Sequence, residues 1–152
     1  MHPTTLPSTG LLVLRIALGV TFLVHGLDKL GDIAGTEQFF ASLDIPAAGL
    51  MAPLVAITET GGGLLLILGL ATPLAGVALA IDMLVAGLTA HTGQGFLVSD
   101  GGYELVFVLG AAALALAATG AGRISLDAML RLPQRVRGER RDRRMTASPS
   151  AG

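Results

Sequence analysis

Residues 11–30 read LLVLRIALGVTFLVHGLDKL, and this stretch decides the fold. At a rise of ~1.5 Å per residue it makes a helix of about 30 Å, the thickness of a bilayer's hydrocarbon core. Arg15, His25 and Lys29 set it apart from an ordinary lipid-facing helix. At about 100° per residue, Arg15, Leu18, Gly19, Phe22, His25, Gly26 and Lys29 share one broad face, while Asp28 falls off it near the end. A charge at mid-bilayer costs on the order of 3 kcal/mol unless it faces protein or water. The basic stripe is therefore expected to turn inward, onto partners supplied by the rest of the chain.

Composition points the same way. Of the 152 residues, 52% are hydrophobic and 14% charged, against roughly 25% charged in a soluble domain. Mean hydropathy is +0.71. The length suits one small helical membrane domain. Cysteine is absent, so the chain has no disulfide, thiol relay or thiolate-bound cluster of its own. No haem or flavin motif is present either, and no nucleic-acid partner is expected. The opening MHPTTLPSTG lacks a basic n-region, and the apolar stretch behind it is too long for an h-region, so a cleaved signal peptide is not expected.

The pattern predicts an all-α protein, a bundle of four transmembrane helices with a short amphipathic segment and a disordered basic tail. Residues 1–10 read as a flexible N-terminus, 11–132 as the membrane domain and 133–152 as an Arg-rich cytoplasmic tail. The spans are expected at about 11–30, 47–70, 73–91 and 103–119. Between the first two, Phe39, Phe40 and Leu43 share a face of a short helix expected to lie on the membrane surface. Pro53 is expected to kink the second span. Thr72 and Pro73 form the start of the third, and the short connection before them makes spans two and three antiparallel neighbours. After the fourth span, Ser125 can cap a short helix, SLDAMLRL.

Eight of the ten Lys and Arg residues follow Thr119, whereas loops 31–46 and 92–102 contain none. By the positive-inside rule both termini are cytoplasmic and both loops lie outside. The tail reads as a topology determinant that can also hold anionic lipid head groups. The lipid bilayer is thus one expected partner, and a homo-oligomer is a further possibility.

Each later span carries one acid: Glu59, Asp82 and Glu104. Judged by depth, Arg15 is expected to join Glu59 and Asp82 near the midplane, with His25, Lys29 and Glu104 forming a second layer below the outer surface. Two readings stay open for these groups. They are polar clips between helices, worth about 1 kcal/mol each, or they form a functional site. Glu104 in a first helical turn next to Tyr103 also suits the helix dipole. His91 reads as a solvated end residue. A metal held by His25, His91 and Glu104 is disfavoured, because nothing fixes ligand spacing within one helix; no metal is expected. The glycines Gly61, Gly62, Gly63 and Gly69 read first as packing residues, and beside a buried acid as room for a flat ligand.

RIALGVTFLVHGLDKL in the first span, ETGGGLLLILGLATP in the second, GGYELVFVLGAAALAL in the fourth and GRISLD after it resemble, in series, the DoxX family of small four-helix membrane proteins. The resemblance covers most of residues 11–130. It implies an inner-membrane bundle, often named as an oxidoreductase or the membrane partner of one. It also implies a polar set of Arg15, His25, Lys29, Glu59 and Glu104, with Arg123 and Asp127 at the cytoplasmic end. On that basis the expected function is the membrane subunit or partner of a quinone- or sulfur-linked redox system. His25, Lys29, Glu59 and Glu104 would handle ligand hydrogen bonds or protons, Arg15 and Asp82 would be structural buried charges, and a quinone would be the cofactor or ligand. Any electron carrier would come from that ligand or from a redox protein partner. The alternative is a non-catalytic scaffold or assembly factor; a proton-coupled small-solute carrier ranks last, because the four spans show no inverted repeat with broken helices.

Overall fold

The computed structural model describes residues 8–130, and within them every regular element is helical. Helix α1 spans Ser8–Gly31, α2 Ile33–Ser42, α3 Ala48–Leu68, α4 Thr72–Thr89 and α5 Glu104–Thr119. One 3₁₀ turn, Val98–Asp100, interrupts the loop between α4 and α5. Helices α1, α3 and α4 are long and apolar enough to cross a membrane, and α5 is a shorter apolar helix. Helix α1 includes Ser8, Thr9 and Gly10, ahead of the first span expected from Leu11. The expectations for residues 1–7 and for the Arg-rich tail lie outside the described residues.

The bundle is apolar on its outside. Val13 on α1, Leu50 on α3, Leu74 on α4 and Phe107 on α5 are all at least 60% exposed. In water such a surface would aggregate; in lipid it is the matching solvent. Inside, Leu18, Phe22, Leu66, Leu79, Met83 and Leu116 form a compact core.

Small residues set the spacing between helices. At the α1–α3 crossing, a Cβ placed on Gly19 would stand 2.7 Å from the Gly63 carbonyl oxygen, and one on Gly26 would run into the backbone of Thr60. At the α4–α5 crossing, a Cβ on Gly76 would stand 2.6 Å from the Ala113 carbonyl oxygen. Lipid tails are as apolar as leucine, so membrane helices associate through such close backbone approach rather than through the hydrophobic effect. Gly62 faces Leu79, whereas Gly61 has nothing near it.

The segments on either side of α5 are stitched into the bundle by polar contacts. Asp127 accepts from the backbone N–H groups of Ala71 at 3.0 Å and Thr72 at 3.3 Å, and its own N–H donates to the Gly69 carbonyl. It thereby caps the N-terminus of α4, whose first N–H groups lack helical partners. Ser125 Oγ accepts from the Ala128 N–H, the capping role its sequence position suggests, and residues 126–130 are helical. At the other end of α5 the Glu104 carboxylate accepts from the Val98 N–H at 3.0 Å, folding the 95–102 loop back onto its own helix. The main-chain bond from Glu104 N–H to the Phe96 carbonyl reinforces that fold. Helix α3 runs unbroken through Pro53.

Candidate functional site

The charges meet differently from the layers expected from depth alone. Lys29 Nζ donates to Glu59 Oε2 at 2.6 Å, and this is the one salt bridge among the described residues. Asp82 lies beside both groups. Arg15, expected to join Glu59 and Asp82, does not. It is 1% exposed, and its guanidinium donates to main-chain carbonyls: Nε to Leu66 at 2.9 Å, and Nη1 to Ala121 and to Ile124 at 3.0 Å.

The reason is register. Helices α1 and α3 run antiparallel, with Gly19 against Gly63 and Gly26 against Thr60. That pairing carries Lys29 to Glu59 and sets Arg15 against the last turn of α3. That turn is the partly negative end of a helix, which favours a cation, and the Leu66 carbonyl accepts from Arg15 in addition to the Gly69 N–H that caps the helix. Gly69, in the left-handed conformation at φ +67°, ends α3 and leaves the guanidinium its room; a Cβ there would stand 2.7 Å from Arg15 Cζ. Arg15 is therefore a structural clamp, and a planar fork of donors suits several carbonyls at once.

Above Lys29 and Glu59 opens a cavity of about 500 Å³. Phe22 and His25 of α1, Phe40 of α2, Asp82 and Met83 of α4, and Leu105 and Leu109 of α5 are among its walls. Helix α2 closes it on one side. Phe39, Phe40 and Leu43 do share a face, but that face looks into the cavity, and Phe40 is only 8% exposed. The segment expected on the membrane surface thus also serves as a cover. Its start is fixed by Asp32, whose side chain accepts from the Gly35 N–H at 2.8 Å.

Of the residues expected at the site, Lys29, Glu59 and Asp82 converge, and His25 stands on the cavity wall with an exposed side chain. Glu104 does not join His25 and Lys29: its carboxylate is taken up by the Val98 N–H and it is not part of the cavity lining. Asp127 caps α4, and Arg123 is exposed in the same post-α5 segment. His91, read as a solvated end residue, borders the cavity, and its Nδ1 lies 2.6 Å from the Gly101 carbonyl oxygen. No group of three His, Cys, Asp or Glu side chains among the described residues could hold a metal ion.

Two buried side-chain oxygens among the described residues lack a hydrogen-bond partner, Thr72 Oγ1 and Asp82 Oδ2. Thr72 sits in the first turn of α4, away from the cavity, whereas Asp82 lines it. Asp82 stands within hydrogen-bonding reach of the Glu59 carboxyl group, and the site can donate from the remaining N–H groups of Lys29 and hold an apolar body against Phe22, Met83 and Leu109.

Sequence comparison agrees with this architecture. The DoxX family model matches residues 10–92. A Bacillus subtilis protein named "Putative oxidoreductase CatD" is 37% identical over 118 residues, covering 78% of this chain and 84% of the relative. The Escherichia coli inner membrane proteins YqjF and YphA are 32% and 33% identical, over 82% and 77% of this chain and 95% and 87% of their own lengths. No solved structure matches. With more than half its length matched by the family model and full-length relatives above 30% identity, the chain belongs to the DoxX family.

Proposed function

We propose that this chain is the integral inner-membrane subunit or partner of a quinone- or sulfur-linked redox system, and that the cavity floored by Lys29, Glu59 and Asp82 is where its ligand binds. The observation that carries this reading is the Lys29–Glu59 pair opening into a cavity of about 500 Å³ rather than into packed side chains. An ion pair that merely clips two helices together needs no space beside it, and this volume falls within the range of small-molecule sites. Intramembrane ionisable residues that face a cavity mark ligand or proton routes far more often than packing. The name of the Bacillus relative, an oxidoreductase, and those of the Escherichia coli relatives, inner membrane proteins, support the same reading.

Within it, Lys29 donates to an acceptor oxygen of the ligand, and Glu59 and Asp82 take up or return protons. Electrons come from the ligand or from a redox protein partner, since the chain has no cysteine and no cofactor motif of its own. Both termini are cytoplasmic, which puts the cavity toward the outer side of the bilayer. Glu59→Gln is the test. It is expected to lower quinone-linked turnover in membranes at least tenfold while the amount of folded protein is unchanged. Normal turnover by the folded variant dismisses the reading.

A further inference from the structure

Helices α1 and α3 form one tight pair, in backbone contact at Gly19, Gly26 and Gly63, and α4 and α5 form another, in contact at Gly76. Helix α2 goes with the first pair: a Cβ on Gly49 of α3 would stand 2.9 Å from the Glu37 carboxylate. The cavity lies between the pairs, with Phe22 and Glu59 on one side and Met83 and Leu109 on the other. Where α3 turns into α4, polar contacts join the two. Arg15 donates to the Ala121 and Ile124 carbonyls beyond α5, and the Asp127 N–H donates to the Gly69 carbonyl beyond α3. Around the cavity, the one polar contact between the pairs among the described residues is that of Glu59 with Asp82.

Two ionised carboxylates offer acceptors only, so a hydrogen bond between them needs a proton held by one of the two. With that proton the pair carries one negative charge, matched by the Lys29 ammonium 2.6 Å from Glu59. Without it, two anions face one cation in a low-dielectric interior. Asp82 Oδ2 is buried and unpartnered, which costs a neutral acid less than an anion. Resting on the reading of the cavity as the ligand site, we infer that the proton shared by Glu59 and Asp82 is a latch on that site: held, it joins the two helix pairs across the cavity, and released to solvent, it lets them swing apart about the Arg15 end. About 500 Å³ of open space separates the walls there, so little packing resists the motion. The other titratable groups facing the pair are His25 and Lys29 from α1 and His91 beyond α4, while α2 and α5 present Phe40 and Leu109. Asp28 and Asp32 lie on the far side of Lys29, in a neighbouring shallow pocket. Glu104 is taken up by Val98, and His91 bonds within its own pair, to Gly101.

The test uses the full chain in mild detergent with no ligand present, so its failure leaves the cavity standing as a ligand site, which the turnover of Glu59→Gln decides separately. Infrared difference spectra against Asp82→Asn and Glu59→Gln are expected to show the carbonyl band of a protonated carboxylic acid in the unmodified chain alone. Spin labels on Leu50→Cys and Leu88→Cys, both exposed at the cavity end of α3 and α4, report the gap between the pairs. Labels on Leu68→Cys and Leu74→Cys report the Arg15 end. From mildly acid to alkaline solution the first distance is expected to lengthen by several ångströms, as in hinge opening, and the second to stay constant. In Asp82→Asn the amide donates to Glu59 without a titratable proton, so the first distance is expected to stay short throughout. Should that variant fail to fold, Glu59→Gln, whose amide donates to Asp82, takes its place. Absence of the acid band overturns the inference. So does a first distance that ignores pH, one that lengthens equally in the amide variant, or equal lengthening at both ends.

Discussion

Lys29 and Glu59 are held 2.6 Å apart at a level of the bundle where Gly26 lets α1 and α3 touch backbone to backbone. The ion pair and the glycine contact are one feature. Lys29 lies one helical turn beyond Gly26, and Glu59 directly precedes Thr60, the residue that Gly26 packs against. The Glu59 side chain is 4% exposed and that of Lys29 25%, so neither charge is dispensable to the other.

Lys29→Met leaves Glu59 and Asp82 as uncompensated acids in a low-dielectric interior. Removing one partner of a fully buried pair costs roughly 3–5 kcal/mol. The partial exposure of Lys29 brings the expected loss to about 2 kcal/mol. The double variant Lys29→Met/Glu59→Gln is expected to recover more than half of it. Thermal unfolding in detergent, followed by circular dichroism, reads both; equal stability of Lys29→Met and the native chain would contradict the pairing.

Arg15 offers a contrast on the same helix. Arg15→Lys keeps the charge but replaces a planar fork by a single point of attachment, and cannot reach Leu66, Ala121 and Ile124 together. The expected loss is about 2 kcal/mol for Lys and about 3 kcal/mol or more for Ala, which strands the Ala121 and Ile124 carbonyls. Were Arg15 instead paired with a carboxylate, Lys would be nearly neutral, and the same unfolding measurement separates the two cases.

Gly26→Ala and Gly61→Ala form a matched pair. The first drives a methyl into the Thr60 backbone and is expected to cost about 3 kcal/mol, at the upper end for overpacking. The second meets nothing within 4 Å and is expected to be neutral or to stabilise by about 0.5 kcal/mol, as alanine does over glycine in a helix. Similar melting temperatures for the two variants would remove the close crossing as the determinant of helix spacing.

How far the sequence reached is best judged from Arg15 and Lys29. The inward turn of the cationic face was legible, because lipid forbids the alternative and the helical period fixes which residues share a side. The partners were not. Matching cations to acids by depth leaves out main-chain carbonyls, which carry no letter in the sequence, and Arg15 bonds only to those. The pairing of Lys29 with Glu59 escaped it as well, since the glycine contacts set the α1–α3 register. The shared face of Phe39, Phe40 and Leu43 was readable, its target was not: a short amphipathic helix fits a membrane surface and a cavity mouth equally well. Glu104 was visible as a helix-start acid, and its bond to Val98 agrees with that plainer role rather than with a place beside His25.

The proposed orientation has its own test, made simple by the absence of cysteine. Ser99→Cys lies in the exposed 3₁₀ turn between α4 and α5. In intact cells a membrane-impermeant maleimide is expected to label it, while a cysteine introduced at Ser148 in the basic tail is expected to react only after lysis. The reverse pattern would invert the topology.

The Arg15 clamp also bears on how the protein is made. Its donors sit in the first membrane helix, and two of its acceptors, Ala121 and Ile124, are among the last residues of the bundle to leave the ribosome. During synthesis the earliest helix therefore waits with a guanidinium that α3 answers only in part, through Leu66. The late segment that answers it also brings Asp127 to the start of α4. A product cut short before Ala121 leaves that cation with the Leu66 carbonyl of α3 and without its two later acceptors.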